Sequence, residues 1–268
     1  MTGPGERVVY GAGPVRELIA RRPAAVRAVW VDPQRAGRTT SDPVAAIVVA
    51  ARAAGVRIED RERRVLDQAA GPDARHQGVI AWLGPFVYAE LSDLVPAPDA
   101  AGDAAGDAAG PVLLVALDGV EDPRNLGAIL RSAYLLGAHG VIIPEHRAAA
   151  VTAAAAKASA GASELVAVAQ VGNLVRALDE LRALGVWRVA VDAAPGAQPI
   201  ETLDGALPLC LVLGAEGTGV RPLVARSCDF HAVIPMADGR DAVGSFNVAV
   251  AAALALYEIR RQRRGQPG

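Results

Sequence analysis

Three short stretches in the C-terminal half of this 268-residue chain place polar or glycine-rich residues at the ends of apolar runs. Open α/β sheets bind their ligands at such strand ends. The first stretch, LDGVEDPRNLGAILR (117–131), carries Asp122, Asn125 and Arg131. The second, LVLGAEGTGV (211–220), sets glycines at 214, 217 and 219 around Glu216. The third joins IPM (234–236) to SFNVAVA (245–251), which holds Ser245 and Asn247. Glycines directly after a strand permit tight turns and close backbone approach to a ligand. With Glu216 among them, they suit a neutral or cationic ligand better than an anionic one.

Several other chemistries fit less well. A dinucleotide site needs G-x-G-x-x-G in the first βαβ unit, whereas here the order is G-x-x-G-x-G in the last third of the chain. Glu216 would also oppose a pyrophosphate at a helix N-terminus. There is no G-x-x-x-x-G-K-[ST] phosphate loop and no G-x-S-x-G nucleophile elbow. The four histidines, His76, His139, His146 and His231, lack metal-ligand spacing, so no metal is expected. Asn125 and Arg131 are six residues apart in a helix expected over 125–138. At 100° per residue they point to different faces. Asn125 is expected to cap that helix or meet substrate, and Arg131 to project elsewhere, towards a phosphate or a second subunit.

The elements that must position these residues are legible in the hydrophobic pattern. After residue 111, continuous apolar strands (112–117, 140–143, 165–171, 187–191, 209–213, 231–234) alternate with helical patterns. The helices are expected at 125–138, from about 149, at 173–184, at 221–228 and from about 246 onwards. This alternation indicates a mainly parallel sheet covered on both faces. The last helix is apolar all round from Val248 to Tyr257, which predicts burial on every side, within the core or against a second subunit. Before residue 85, strands at 26–32, 56–60 and 78–83 surround helices at about 43–54 and 61–70, making a small α/β domain. Ser41 or Asp42 caps the first of these, with Pro43 in its first turn. Between the two lies an acidic stretch containing PAPDAAGDAAGDAAGP (96–111), low in complexity and with nothing to bury. The expected domains are therefore 1–84, a flexible linker 85–111, and 112–268.

Composition bounds the rest. The chain is 52% hydrophobic and 21% charged, as globular proteins are. No stretch reaches the roughly 20 apolar residues of a membrane span. The N-terminal MTGPGERVVYG does not read as a signal peptide. Two cysteines, Cys210 and Cys228, form neither a disulfide framework nor a zinc site, and read as small buried hydrophobes in a reducing cytoplasm. Net charge is −2, yet residues 1–84 hold 13 Arg against 9 acids, and residues 85–111 hold 5 acids and no base. A second basic cluster, Arg260, Arg261, Arg263 and Arg264, closes the chain. This segregation is compatible with RNA binding.

The order and spacing of the motifs resemble the SPOUT superfamily of RNA methyltransferases, and within it the TrmH/RlmB type of ribose 2′-O-methyltransferase. DPRNLGAILR matches the first motif through Asn125 and Arg131, and LGAEGTGV matches the second through Glu216. IPM followed by S-F-N matches the third through Ser245 and Asn247, while KASAGASE (157–164) and NLVRAL (173–178) match between them. VVYGAGPVRELI and His76–Gly78 resemble the substrate-binding domain of the rRNA members. Two departures lie beside the expected cofactor: a longer segment between Met236 and Ser245, and Phe246 and Ala249 where Leu and Ser are common.

The resemblance implies a deep trefoil knot in the C-terminal domain and S-adenosyl-L-methionine as cofactor. Leu213, Gly214, Glu216, Gly217, Ile234, Met236, Ser245, Phe246 and Asn247 would hold it, with neighbouring backbone from Val243 onwards. Arg131, Asn125, Glu216, Ser245 and Asn247 would be the catalytic set, Arg131 polarising or positioning a ribose hydroxyl. It further implies a cytoplasmic homodimer with structured RNA as substrate, rRNA favoured over tRNA, and a guanosine as the methylated nucleotide. The alternatives are a tRNA 2′-O-methyltransferase or a catalytically degenerate RNA-binding relative.

Overall fold

The computed structural model describes residues 7–36, 42–71, 74–95, 110–237 and 244–265. In chain order the described helices are α1 (Ala12–Arg21), α2 (Pro33–Ala36), α3 (Pro43–Ala53), α4 (Arg63–Ala70), α5 (Pro123–Leu135), α6 (Ala153–Ala158), α7 (Leu174–Ala183), α8 (Pro222–Arg226) and α9 (Val248–Gly265). The strands are β1 (Arg7–Tyr10), β2 (Val26–Val31), β3 (Ile58–Asp60), β4 (Val79–Leu83), β5 (Leu113–Asp118), β6 (Gly140–Pro144), β7 (Ala167–Val171), β8 (Trp187–Val191), β9 (Gln198–Pro199), β10 (Leu209–Gly214) and β11 (Phe230–Val233). They divide between two compact units.

The first unit comprises Met1–Val87 together with Val151–Leu165. Its sheet has the order β1-β4-β2-β3, with β4 antiparallel to both neighbours and β2 parallel to β3. The strands are rich in β-branched and aromatic residues, which suit a pleated, half-buried surface. Asp42 caps α3, its carboxylate accepting from the Val44 N–H at 2.8 Å, and Pro43 supplies the preset φ of a first helical residue. Ser41 lies outside the described residues. β1 and α1 go beyond the elements expected from the sequence, although Gly3-Pro4-Gly5 and Gly11-Ala12-Gly13-Pro14 bound the short RVVY run with turn residues.

His76–Gly78 is a structural turn. The His76 Nδ1 accepts from the Gly78 N–H at 3.0 Å, and its Nε2 faces Asp67 Oδ1 at 2.8 Å. Gln77 takes a positive φ of 54°, and its side-chain oxygen accepts from Ala12 N–H at the start of α1.

The 151–165 segment belongs to this unit, a correction to the expected 112–268 domain. The expected Ala-rich helix from about 149 is only the six residues of α6, ended by Ala160 and Gly161 in left-handed conformations. A Cβ on Gly161 would lie 2.8 Å from Val9 Cγ1, so only glycine lets the segment approach β1 this closely. Arg7 and Glu164, 5% and 2% exposed, form a buried ion pair across the contact. Arg7 also donates from Nη2 to the Gly84 carbonyl at 3.0 Å, and Arg22 donates to the Glu164 carbonyl at 3.1 Å. Burial pushes the Glu164 carboxyl up, against the pull of Arg7 and the Ser163 hydroxyl.

The second unit comprises Tyr88–Ala150 and Val166–Gly268. Its seven-stranded sheet, in the order β7-β6-β5-β10-β8-β11-β9, is parallel throughout. At its centre β5 and β10 are buried along their whole length, running in register from Leu113↔Leu209 to Asp118↔Gly214. Such burial on both faces is why LLVALD and LCLVLG read as unbroken apolar runs. Arg188 in β8 is the exception at 1% exposure; its Nη2 donates to Asp229 Oδ1 at 2.6 Å and its Nη1 to the Leu178 carbonyl. Burial raises both cysteine thiols, that of Cys228 to about 12, so both stay protonated at neutral pH. No described helix is long and apolar enough to cross a membrane.

Three further expectations need correction here. The linker is shorter than 85–111: residues 88–95 belong to the second unit, where Ala89 N–H donates to the Val168 carbonyl at 2.8 Å and Leu94 is buried. Residues 96–109 lie outside the described set. α9 is not buried on every side, because Val250, Leu254 and Tyr257, spaced at i, i+4 and i+7, form one exposed stripe while Ala252, Leu256 and Ile259 are buried. The terminal arginines are not a free basic patch. Arg263 donates to the carbonyls of Gly205, Pro111, Val112 and Leu207, and Arg261 pairs with Glu258.

Arg7→Ala would leave the Glu164 carboxylate buried without its partner. It is expected to lower unfolding free energy by about 3–5 kcal/mol, measured by chemical denaturation.

Candidate active site

Because β5, β10 and β8 run parallel, their C-terminal ends open on the same edge of the sheet. Asp122 caps α5, accepting from the Arg124 N–H at 2.8 Å, with Pro123 at the first helical position. The cap is therefore Asp122 and not Asn125, which sits within the first turn with its side chain free for other bonds. That side chain donates from Nδ2 to Glu216 Oε1 at 2.9 Å. Asn247 donates from Nδ2 to the same Glu216 oxygen and, at 3.2 Å, to Asn125 Oδ1. Its own Oδ1 accepts from the Ala249 N–H at 3.0 Å and caps α9. Three segments far apart in sequence thus meet at one carboxylate.

The loop after β10 is shaped by its glycines. A Cβ on Gly214 would lie 1.9 Å from the carbonyl carbon of Gly219, so no other residue permits this backbone approach. Ala215 and Gly219 bridge, the Gly219 N–H donating to the Ala215 carbonyl at 2.9 Å. Asp118, at the end of β5, accepts from Arg221 N–H at 2.8 Å and from its Nε at 2.7 Å, which ties the far side of the loop to the sheet. That hydrogen bond raises the Arg221 guanidinium further above its usual range.

These loops enclose a cavity of about 520 Å³. Leu213, Gly214, Glu216, Gly217, Ile234, Met236, Ser245 and Phe246 line it, as expected from the sequence. Asn247 does not line it but holds Glu216, which does. Arg131 is exposed on α5 and contributes nothing to the cavity of its own chain. Sequence reasoning missed Val191–Ala194, at the end of β8, which form another wall. Their signal was present, since small residues follow a buried parallel strand there just as they follow β10. Among the described residues of the lining, Asp192 and Glu216 are the charged ones, both acidic. Residues 238–243, including Val243 and most of the longer segment before Ser245, lie outside the described set.

Comparison with known proteins agrees with this arrangement. The model of the SpoU rRNA methylase family matches residues 112–257. The model of the RNA 2′-O ribose methyltransferase substrate-binding domain matches residues 8–89. The chain belongs to the SpoU/TrmH family of RNA methyltransferases. It is 42% identical to the TrmH family tRNA/rRNA protein YacO of Bacillus subtilis, over 81% of this chain and 82% of that one. The crystal structure of an AdoMet-bound rRNA methyltransferase from Sinorhizobium meliloti superposes with a TM-score of 0.72 at 25% identity, covering 96% of this chain and 87% of that one. A TrmH/SpoU tRNA-modifying enzyme of A. aeolicus matches with a TM-score of 0.51 at 30% identity, covering 57% of this chain and 75% of that one.

Asn247→Ala removes the α9 cap and both amide donations. The cap alone is worth about 1 kcal/mol, so a loss of at least that size is expected in thermal or denaturant unfolding.

Proposed function

We propose that this protein methylates a ribose 2′-hydroxyl in structured RNA, most closely a guanosine of large-subunit rRNA, with S-adenosyl-L-methionine as methyl donor. The observation that carries the reading is the cavity itself. It is lined by the second and third motif segments, the first reaching it only through the Asn125 amide on Glu216. Its size is within the roughly 300–1,000 Å³ of small-molecule pockets, and the charged residues among its described lining are acidic. That lining favours a sulfonium cation and disfavours the pyrophosphate of a dinucleotide. Backbone and small side chains from Leu213–Gly217, Ile234–Met236 and Ser245–Asn247 would hold the cofactor, which supplies an electrophilic methyl group. The knotted chain path belongs to the same proposal.

The chain's own residues then have distinct tasks. Glu216 accepts from Asn125 and Asn247, which keeps both amides in fixed orientation beside the cavity. Ser245 and Asn125 orient the ribose. A guanidinium is a poor base, so Arg131 positions and polarises the hydroxyl while an RNA phosphate shares the departing proton. Because Arg131 is outside its own chain's cavity, it serves the cavity of a second subunit. The exposed α9 stripe of Val250, Leu254 and Tyr257 supports such a homodimer, being too apolar to face water. The coverage of the relatives favours rRNA: the rRNA methyltransferase spans both units, whereas the tRNA-modifying enzyme matches 57% of the chain.

Titration calorimetry of the full chain is expected to show binding of S-adenosylhomocysteine and none of NAD; the reverse would overturn the reading. In a deletion strain, one 2′-O-methyl group should disappear from large-subunit rRNA, and its disappearance from tRNA instead would overturn the rRNA assignment. For the shared site, Arg131→Ala and Asn247→Ala chains are unfolded and refolded together. A two-fold dimer then predicts recovery of about a quarter of wild-type activity, since half the dimers are mixed and each has one intact site. No recovery despite heterodimers would mean each site is built within one chain.

A further inference from the structure

The first unit contains a cavity of its own, of about 210 Å³. Three arginines converge on it from separate elements: Arg7 from β1, Arg22 after α1 and Arg27 from β2. Pro85, Phe86 and Val87, the segment following β4, form its apolar side, with Val87 exposed. The one acid in the lining is Glu164, which is already paired with Arg7. The Arg7 guanidinium lies 5.0 Å over the Phe86 ring and is anchored by the Gly84 carbonyl, so the aromatic wall is held in place. Arg22 spends one N–H on the Glu164 carbonyl, out of the five a guanidinium carries.

We propose that this cavity takes a single unpaired nucleotide of the RNA substrate, its base against Phe86 and Pro85 and its phosphate on Arg22 and Arg27. The inference rests on the methyltransferase reading and names how that substrate is gripped. Two cationic side chains beside an aromatic wall match the two halves of a nucleotide, a phosphate and a π-face. The cavity is concave and, at about 210 Å³, smaller than a pocket that encloses a whole ligand. It therefore seats part of one splayed-out residue, its phosphate and a base edge, and leaves the remainder in solvent; a duplex would need a broad surface along a groove. An unpaired loop or bulge is therefore the RNA feature recognised. Because Arg7 is committed to Glu164 and Gly84, it is a positioning residue here, holding Phe86, while Arg22 and Arg27 make the phosphate contact.

The test uses the full chain and two probes: a labelled hairpin RNA with an unpaired loop, and the same strand closed into a duplex by its complement. Arg22→Gln/Arg27→Gln is expected to weaken hairpin binding about tenfold and to reduce the salt dependence by about one to two phosphate contacts, with little change on the duplex. Phe86→Leu keeps an apolar side chain but loses the ring; it should weaken hairpin binding several-fold with the salt dependence unchanged. Arg64→Gln, an exposed arginine on α4 outside the cavity, serves as control, and unfolding midpoints check that every variant is folded. Wild-type affinity in the double arginine variant, or equal losses on hairpin and duplex, would overturn the proposal. Cofactor binding separates the two readings. A protein that binds S-adenosylhomocysteine but neither RNA removes the nucleotide cavity alone. One that grips the hairpin through these residues but never binds the cofactor removes methyl transfer and leaves the cavity standing.

Discussion

The carboxylate of Glu216 is the point on which the candidate site depends. It accepts from Asn125, 91 residues earlier, and from Asn247, 31 residues later, and Asn247 in turn caps α9. None of these bonds would form without the parallel register of β5 and β10, which ends with Asp118 opposite Gly214 and brings both strand ends to one edge. The glycine at 214 is the second condition, because the returning chain at Gly219 passes where a Cβ would stand. Sheet register, one missing side chain and one shared acceptor together bring three loops with no reactive constellation of their own to the edge of one cavity.

The same economy explains the charges. In the second unit several arginines are structural: the buried Arg188 pairs with Asp229, the exposed Arg221 with the buried Asp118, and the half-buried Arg263 collects four carbonyls. Desolvation makes a buried guanidinium expensive, and these bonds offset it in part, since Arg188 Nε is buried without a partner. Burial lowers the Arg263 guanidinium, with the charge of Arg260 adding to the effect, as expected for a cation taken out of water. The first unit, by contrast, carries arginines that stay near the surface. Its Arg22 and Arg27 are exposed beside an aromatic wall, which is where an anionic polymer is best gripped.

The family's chemistry asks little of the protein in the way of reactive groups. Displacement at a sulfonium needs geometry above all: a hydroxyl in line with the methyl group and a route for its proton. A site built from amides, a hydroxyl, glycines and a distant arginine is consistent with that demand. It also fits a sequence with no nucleophile elbow and no phosphate loop. The apolar stripe on α9 and Arg131 on α5 are both exposed in the single chain, as the proposed two-chain site requires.

Periodicity in the sequence determined the element types and the parallel character of the larger sheet, because continuous apolar strands are local features, while the eight cavity-lining residues named beforehand came from the resemblance of the motifs to a known family. The wall at Val191–Ala194 was legible by the same rule and overlooked. Other facts were decided only by the tertiary structure. Asp122 took the cap of α5 because the helix starts two residues before Asn125, and the freed amide then reached Glu216. The stretch 151–165, read as part of the C-terminal domain, instead sends Glu164 to Arg7, a pairing over 157 residues. An apolar run in α9 registered as buried because composition cannot distinguish a stripe that meets a core from one that faces outward. Local pattern fixes which residues prefer burial, and only the three-dimensional neighbours determine which of them find a partner. Long-range hydrogen bonds and ion pairs therefore have no signature in a single sequence, since each depends on a distance the chain sets only after it has folded.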